Sequence, residues 1–288
     1  MRRKRLLLGV LALAVAALIV FKPHRHQAIA VGPADSAAEP AGLAPQPIHD
    51  VRSEDFGGGN RYLVRNLLAG PIEVQCRLDA VDNVRSDPPL PRSLVLAARA
   101  EQEVAELHKI DPARSSHALV KCSAMVGDPH AVPVGFASYA LPFHPGTAFT
   151  LDQGFNDAFS HNDAESRYAL DLGVPEGTPV LAARDGVVMQ VEEDFRGGGA
   201  DAERYGDRAN FVRIVHADGS MALYAHLALH SALHRPGDSV RAGEIIGKSG
   251  MTGYTTGPHL HFTVQKNVGM DLQSIPFTMP GVDPYHSR

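Results

Sequence analysis

The chain has 288 residues, of which 44% are hydrophobic, 6% aromatic and 20% charged. This composition is typical of globular proteins and excludes a disordered polyampholyte, a collagen-like fibre and a polytopic membrane protein. The formal net charge is -5, and because every charged side chain in residues 1–26 is basic, the remainder is more acidic still, which argues against nucleic acid as a partner.

The first 26 residues have the pattern of an export or anchoring signal. The basic segment MRRKR precedes residues 6–21, an unbroken apolar run. Such a run is slightly short for a hydrocarbon core of about 30 Å, so residues 1–26 are interpreted either as a cleaved signal peptide or as an uncleaved membrane anchor. Both alternatives place the body of the chain outside the cytoplasm, because the basic flank stays inside. Residues 27–47, rich in Ala, Pro, Gly and Ser, are interpreted as a linker.

Residues 48–141 are predicted to form a β-rich accessory domain. Short, partly alternating segments separated by turn residues predict a small antiparallel β-sandwich, whereas the Ala/Glu-rich residues 97–108 are predicted to be a helix. Cys76 and Cys122 each end a predicted strand. An even pair of cysteines in an exported chain suggests one disulfide, and the alternative is two buried free thiols. The region has no cluster of chemical groups, so it is interpreted as a spacer, as a binding module for glycan or a partner, or as an inhibitory cover.

Residues 142–288 are predicted to form a second all-β domain with a sheet-lined groove. Alternating apolar residues and intervening turn residues predict its strands. Residues 194–209 contain three consecutive glycines and many charges, which predicts a mobile loop beside the groove. The predicted strands span 169–172, 179–182, 186–192, 210–216, 221–226, 244–247 and 259–265.

Histidines and an aspartate of this second domain are the candidate chemical groups. His259 and His261 are two residues apart on a predicted strand, so both rings face the same side. His226 follows another strand, and Asp171 lies between apolar neighbours, where an unpaired carboxylate is costly. Two imidazoles on one face suit a metal ligand and a neighbouring general base. Taken singly, each could equally be an exposed pair, a structural histidine or a salt-bridged carboxylate.

Four ordered motifs give this region a specific resemblance. They are DLGVPEGTPVLAARDGVV (171–188), YAHL (224–227), PGDSVRAGEIIG (236–247) and TGYTTGPHLHF (252–262). Over residues 150–265 the chain resembles the lysostaphin/LytM-type zinc metallopeptidases. The resemblance implies a compact β groove, a zinc cofactor and cleavage of peptide cross-links in bacterial peptidoglycan. It also implies zinc ligation by His261 and Asp171, with His226 and His259 positioning the attacking water and stabilising the transition state.

The chain departs from the family pattern at one metal ligand. The family's first ligand lies four residues before the aspartate, and that position here is Arg167, which has no free lone pair for a metal. His161 is the nearest upstream histidine, and it lies within a stretch that resembles a subset of the family with Ser-His at this point. We therefore predict that His161 replaces the missing ligand.

The predicted function is that of an exported zinc endopeptidase that hydrolyses peptidoglycan cross-links. Two imidazoles, one carboxylate and one open position for water form the ligand pattern of catalytic rather than structural zinc. The alternative is a degenerate relative that acts as a scaffold or activator and binds peptidoglycan or other cell-wall enzymes. The expected location is the periplasm, either in solution or anchored to the inner membrane and facing the periplasm. The expected partners are peptidoglycan and, if the signal is uncleaved, the membrane.

Overall fold

The computed structural model describes residues 44–57 and 59–285, and the fold within these ranges is almost entirely β-structure. The all-β prediction is therefore confirmed. The predicted signal or anchor at residues 1–26 lies outside the described residues, as does most of the predicted linker. Within the two described ranges, no helix has the length and apolarity needed to cross a membrane.

The described residues form the following elements in chain order: β1 (His49–Asp55), β2 (Gly59–Asn66), β3 (Ile72–Asp82), β4 (Val84–Asp87), β5 (Arg92–Leu96), β6 (Glu101–Lys109), β7 (His117–Val126), β8 (Thr150–Gln153), β9 (Ala169–Gly173), β10 (Pro179–Leu181), β11 (Gly186–Glu192), β12 (Gly198–Gly199), α1 (Ala202–Tyr205), β13 (Phe211–Val215), β14 (Met221–Ala225), β15 (Ser239–Val240), β16 (Ile245–Lys248), β17 (Gly253–Tyr254), β18 (His259–Asn267) and β19 (Leu272–Ser274).

The first seven strands form the predicted antiparallel sandwich. One sheet has the strand order β1-β2-β6-β4 and the other has the order β5-β3-β7. Apolar side chains of both sheets, such as Val64 and Ile72, form a shared buried core. Cys76 and Cys122 are directly opposed on β3 and β7 and form a disulfide with an S–S distance of 2.02 Å. The predicted disulfide is thus confirmed, and the alternative of two free thiols is wrong.

The predicted helix at residues 97–108 is wrong, because most of this stretch belongs to strand β6. The strand pairs with β2 on one side and with β4 on the other. Val104, Ala105 and Leu107 are buried in the sandwich core, while the glutamates remain more exposed. The helical preference of Ala and Glu is worth only a few tenths of a kcal/mol per residue, and pairing on both edges outweighs it.

The large antiparallel sheet of the second half positions the candidate site. Its strand order is β15-β11-β13-β14-β18-β9-β8, and β19 also pairs with β18. Alternate side chains of β18 and β14, including Leu260, Phe262 and Tyr224, are fully buried in one apolar core. Because successive residues of a strand face opposite sides, the intervening residues, including His259 and His261, lie on the other face.

The sandwich packs against this second face of the large sheet, beyond the histidines. Met189 on β11, Met221 on β14 and Leu272 on β19 belong to the sandwich core cluster. The backbone N–H of Ala69 donates a hydrogen bond to the carbonyl of Met189 at 3.1 Å. The same sheet face therefore carries the candidate site at one end and the sandwich at the other.

Residues 194–209 are more ordered than the loop expected from their glycines and charges. Strand β12 pairs in parallel with β17, and α1 follows with Asp201 as its N-cap. Gly198 has no room for a side chain, because a Cβ there would meet the backbone oxygens of Met251 and Gly253. The segment lies beside the candidate site, since Gly206 and Ala209 line the same cavity as the histidines.

Candidate metal centre

Strands β18 and β9 bring His261 and Asp171 together. The two residues are directly opposed in the antiparallel register, and His261 Nδ1 lies 2.8 Å from Asp171 Oδ1. Asp171 is only 4% exposed. Burial raises the pKa of its carboxyl, but the adjacent imidazoles of His161 and His261 outweigh burial and hold the pKa well below its ordinary value. The carboxylate is therefore charged at neutral pH.

His161 reaches the same point from the loop between β8 and β9. Its ring is fully buried, and its Nε2 lies 3.3 Å from Asp171 Oδ1. Its Nδ1 lies 2.8 Å from the carbonyl of Gly154. A carbonyl only accepts hydrogen bonds, so Nδ1 is the protonated nitrogen and Nε2 presents a lone pair to the site. Arg167, at the position of the family's usual ligand, is exposed.

The donor set fits a zinc ion. The ligand atoms of His161, Asp171 and His261 lie within 4.8 Å of one another. Two ligands of a tetrahedral zinc ion, each about 2.0–2.1 Å from the metal, lie about 3.3 Å apart, close to the separations from Asp171 Oδ1. His161 Nε2 is also a buried atom without a hydrogen-bond partner among the described residues. A metal ion would satisfy this otherwise unpaired lone pair.

Gln153 and Ser160 support the carboxylate, and the sequence analysis did not identify either residue. The side-chain amide of Gln153 donates to Asp171 Oδ2 at 2.9 Å, and the hydroxyl of Ser160 donates to the amide oxygen of Gln153 at 2.8 Å. These two hydrogen bonds hold Oδ2 in place, and Oδ1 faces the histidines. The sequence signal for both residues was the resemblance of the stretches around Gln153 and Ser160 to a subset of the family, because β8 is too short to show a pattern.

His226 and His259 form a second pair of imidazoles beside this cluster, with ring centroids 4.6 Å apart. Their Nδ1 atoms lie 2.7 Å from the carbonyl of Thr252 and 2.9 Å from the carbonyl of Gly257, respectively. Both Nε2 atoms therefore present lone pairs. Burial, with smaller effects from the charges of His259 and His261, lowers the pKa of His226 to about 3. The His226 ring is thus neutral at physiological pH.

The backbone of His226 has an unusual conformation. Its φ is 62°, in the left-handed region that residues other than glycine rarely adopt. The turn comes directly after β14, and the next residue, Leu227, donates its N–H to the carbonyl of Asn210 at 3.0 Å. Backbone strain of this kind is concentrated at functional sites, where the surrounding structure maintains it.

A cavity of about 290 Å³ gives access to the four histidine and carboxylate side chains Asp171, His226, His259 and His261. No residue that the structure describes before Gln153 lines it. The sandwich therefore contributes no residue to the wall of this cavity in the described part of the chain. The remaining lining residues are Gln153, Phe159, Ser160, Asp163, Ser166, Gly206, Ala209, Tyr254, Thr255 and Thr256.

Comparison with known proteins shows that this region is similar to a family of peptidases. Residues 165–272 match the model of Peptidase family M23. The DD-carboxypeptidase/endopeptidase Mpg of Neisseria meningitidis is 40% identical over 111 residues, which are 38% of this chain and 22% of Mpg. The glycyl-glycine endopeptidase ALE-1 of Staphylococcus capitis is 38% identical over 103 residues, 35% of this chain and 25% of ALE-1.

Among solved structures, the catalytic domain of the M23 protein EnpA from Enterococcus faecalis is 28% identical, with a TM-score of 0.36. The match covers 49% of this chain and 94% of that chain. The chain spans about a fifth of the length of the first curated relatives that it matches. The family match includes Asp171, His226, His259 and His261 and begins after His161.

Proposed function

We propose that the chain is a zinc-dependent endopeptidase, on the premise that its residues 165–272 form an M23 peptidase domain. The observation that carries the proposal is the convergence of His161 Nε2, Asp171 Oδ1 and His261 Nδ1 beside a cavity. These atoms would hold the metal ion. The proposed substrate is the peptide part of bacterial peptidoglycan, since two similar proteins are a DD-carboxypeptidase/endopeptidase and a glycyl-glycine endopeptidase.

In the proposed mechanism the metal would activate the carbonyl and the water, and side chains of the protein would orient the reacting groups. Zinc held by these three side chains would polarise the scissile carbonyl and acidify a water molecule. Asp171 offsets part of the cation's charge, and Gln153 fixes the orientation of the carboxylate through Oδ2. Tyr254 and Thr255 line the cavity and would orient the peptide. The hydroxyl of Thr255 lies 3.2 Å from His259 Nδ1.

His226 and His259 would move the proton during hydrolysis. Each presents an unprotonated Nε2 because its Nδ1 donates to a backbone carbonyl. One Nε2 would accept a proton from the attacking water, and the imidazolium formed would return that proton to the leaving amine. The other ring would stabilise the negative charge that develops on the carbonyl oxygen.

Export is part of the proposal. Residues 1–26 would act as a signal peptide or a membrane anchor and residues 27–47 as a linker, which would place residues 48–288 in the periplasm with the substrate. In this arrangement residues 48–141 would form an accessory domain and residues 142–288 the peptidase domain. Other cell-wall enzymes are further proposed partners.

Mass spectrometry of muropeptides, after incubation of peptidoglycan with the purified protein, tests this function. We expect the wild-type protein to hold one zinc ion per chain and to release cleaved cross-link peptides. Asp171→Ala and His261→Ala should lose both the zinc and the activity. His259→Ala should keep the zinc and lose activity by about 10²-fold or more, since it removes only proton transfer or charge stabilisation.

Two outcomes would count against the proposal. Hydrolysis that survives in His261→Ala, in metal-depleted buffer, would exclude the zinc mechanism. A wild-type protein that binds peptidoglycan without zinc and without cleavage would instead favour the scaffold or activator alternative.

A further inference from the structure

The loop between β8 and β9, which carries His161, is fastened to the large sheet at two backbone carbonyls. The carbonyl of Ala164 accepts hydrogen bonds from the N–H and the hydroxyl of Ser274 on β19, at 2.8 and 2.9 Å. The carbonyl of Glu165 accepts a hydrogen bond from the side-chain amide of Gln265 on β18, at 3.2 Å. These bonds hold this part of the loop against β18 and β19.

Further hydrogen bonds within the loop connect the anchored Glu165 segment to His161. The hydroxyl of Ser166 donates to the carbonyl of Ser160 at 2.8 Å, which ties the end of the loop to the residue before His161. The backbone N–H of His161 donates to the carbonyl of Asp157 at 3.1 Å. A shift of Glu165 would therefore displace the backbone on which the imidazole is mounted.

Arg213 on β13 contacts Gln265, the side chain that bonds to Glu165, and has an unusual environment. It is 8% exposed. The carboxylate of Glu165 interacts with it electrostatically, but the two groups form no close ion pair among the described residues. Its Nη1 donates to the amide oxygen of Gln265 at 2.6 Å, and its Nε has no partner in the described part of the chain. A buried cation without a close anion is costly, so the hydrogen bond that Arg213 donates to Gln265 is strongly favoured.

The chemistry of Arg213 and Gln265 fixes the orientation of the Gln265 amide. A glutamine amide can be turned over so that its oxygen and nitrogen exchange places. A guanidinium group has only donors, so contact with Arg213 forces the amide oxygen of Gln265 towards Arg213. The amide nitrogen must then face the carbonyl of Glu165, where it donates. Without Arg213 the reversed orientation becomes accessible, and it would set the amide oxygen against the carbonyl of Glu165.

We propose that Arg213 and Gln265 are positioning residues that hold His161 in its metal-binding place, through the backbone of Glu165. This inference rests on the proposed function, in which His161 is a zinc ligand. Neither residue lines the cavity or contacts a proposed metal ligand. Their effect should therefore appear in the affinity for zinc and in the mobility of the loop.

Asn267 offers a matched control for Gln265. It lies two residues further along β18 on the same face, is equally buried, and also carries an amide. Its amide donates to the carbonyl of Gly127 in the sandwich half, at 3.2 Å, instead of to the loop. Replacing either residue removes one buried amide from the same strand, but only Gln265 touches the loop that carries His161.

The experiment measures zinc affinity by competition with a chelator, in Gln265→Leu and Asn267→Leu. We expect Gln265→Leu to weaken zinc binding about 10-fold or more, as is usual when a supporting hydrogen bond to a ligand is lost. Arg213→Met should behave similarly, and Arg213→Lys should restore part of the affinity because it retains a donor. Asn267→Leu should lower the unfolding temperature and leave zinc affinity within about 2-fold of wild type.

Hydrogen exchange of the metal-free proteins gives a second readout that does not depend on zinc. Residues 157–167 should exchange faster in Gln265→Leu than in wild type or Asn267→Leu. If Gln265→Leu does not fold, Gln265→Glu replaces it, since its carboxylate still accepts from Arg213 but cannot donate to Glu165. Unchanged zinc affinity and exchange in both Gln265 variants would overturn the inference, and so would an equal loss in Asn267→Leu. A wild-type protein without zinc affinity would instead overturn the proposed function.

Discussion

Three of the four histidines in the candidate site have their tautomer set by the backbone. His161, His226 and His259 each donate Nδ1–H to a carbonyl, at 2.7 to 2.9 Å. The carbonyls belong to Gly154, Thr252 and Gly257. Because a backbone acceptor is present whatever the side chain, the protonation pattern of these rings is a property of the fold. The exception is His261, whose Nδ1 faces the carboxylate of Asp171.

The proposed role of His161 as the ligand that position 167 lacks leads to the first prediction. His161→Ala should weaken zinc binding by more than about 100-fold, since even the loss of a ligand's supporting partner costs about 10–100-fold. Arg167→Ala should leave zinc affinity unchanged, because Arg167 is exposed and its hydrogen bonds within the described ranges are made by its backbone. Equilibrium dialysis against zinc measures both. A variant His161→Ala with wild-type affinity would show that Asp171 and His261 find their third donor elsewhere.

The candidate site was predictable only as far as its motifs extend. His259, His261 and Asp171 followed from strand periodicity and a specific resemblance, and the structure places them together. His161 followed from the resemblance and from its place as the nearest upstream histidine, because six loop residues separate it from Tyr168 and no periodicity constrains their path. Gln153 was missed because its role depends on the pairing of β8 with β9. A strand of four residues is too short for its sequence pattern to predict that pairing.

At the level of elements, the strand predictions were correct where the local sequence pattern and the tertiary pairing favour the same conformation. The strands at 186–192 and 259–265 were predicted to within two residues, since alternation and turn residues mark both. Strand β6 was mistaken for a helix because its Ala and Glu residues favour helix locally. Its two partner strands are distant in sequence, so the interaction that decides its conformation is not visible in a short window.

The turn between β13 and β14 leads to a prediction about pH. Asp218 accepts hydrogen bonds from Ser220 at 2.6 Å and from the backbone of Val134 at 3.2 Å, and it pairs with Arg184 at 3.0 Å. Although burial raises the pKa of this carboxyl, these contacts outweigh burial and lower the pKa from 3.8 to about 2. Asp218→Asn should therefore cost about 1–2 kcal/mol of unfolding free energy at pH 7.

The sign of the pH dependence follows from the lowered pKa. The folded protein releases this proton more readily than the unfolded chain, so the stabilisation is complete above the ordinary pKa and is lost as pH falls from about 4 to about 2. Urea unfolding of zinc-free protein should show the gap between wild type and Asp218→Asn closing over this range. Asp207→Asn is the control, because Asp207 is exposed and only loosely paired. A gap that persists unchanged at pH 2 would contradict the assignment.

On the scale of the whole molecule, the sandwich and the large sheet share a core. Met189 and Met221 of the sheet are buried in the cluster that fills the sandwich. Further hydrogen bonds join the halves, including one from the N–H of Met270 to the carboxylate of Glu73 at 2.7 Å. The sandwich thus supports the sheet that carries the histidines while leaving the cavity open.

The closeness of this packing can be tested at Gly70. A Cβ at Gly70 would lie 2.6 Å from Cγ and 2.7 Å from Sδ of Met189, well inside van der Waals contact. Because Met189 is itself fully buried, it has little room to move, and Gly70→Ala should destabilise the protein by about 1–3 kcal/mol. Urea unfolding followed by fluorescence and by circular dichroism measures this loss and shows whether the two halves still unfold together.

Gly135 provides the matched substitution, since a Cβ there would meet no atom within 4 Å. Gly135→Ala should leave stability unchanged or raise it slightly, because alanine restricts the unfolded chain. Zinc affinity should be unaffected in folded Gly70→Ala, since Met189 lies outside the cavity and contacts none of the proposed ligands. If Gly70→Ala were as stable as Gly135→Ala, the two halves would be packed more loosely than the shared core implies. If it bound zinc more weakly, the sandwich would influence the metal centre through the sheet.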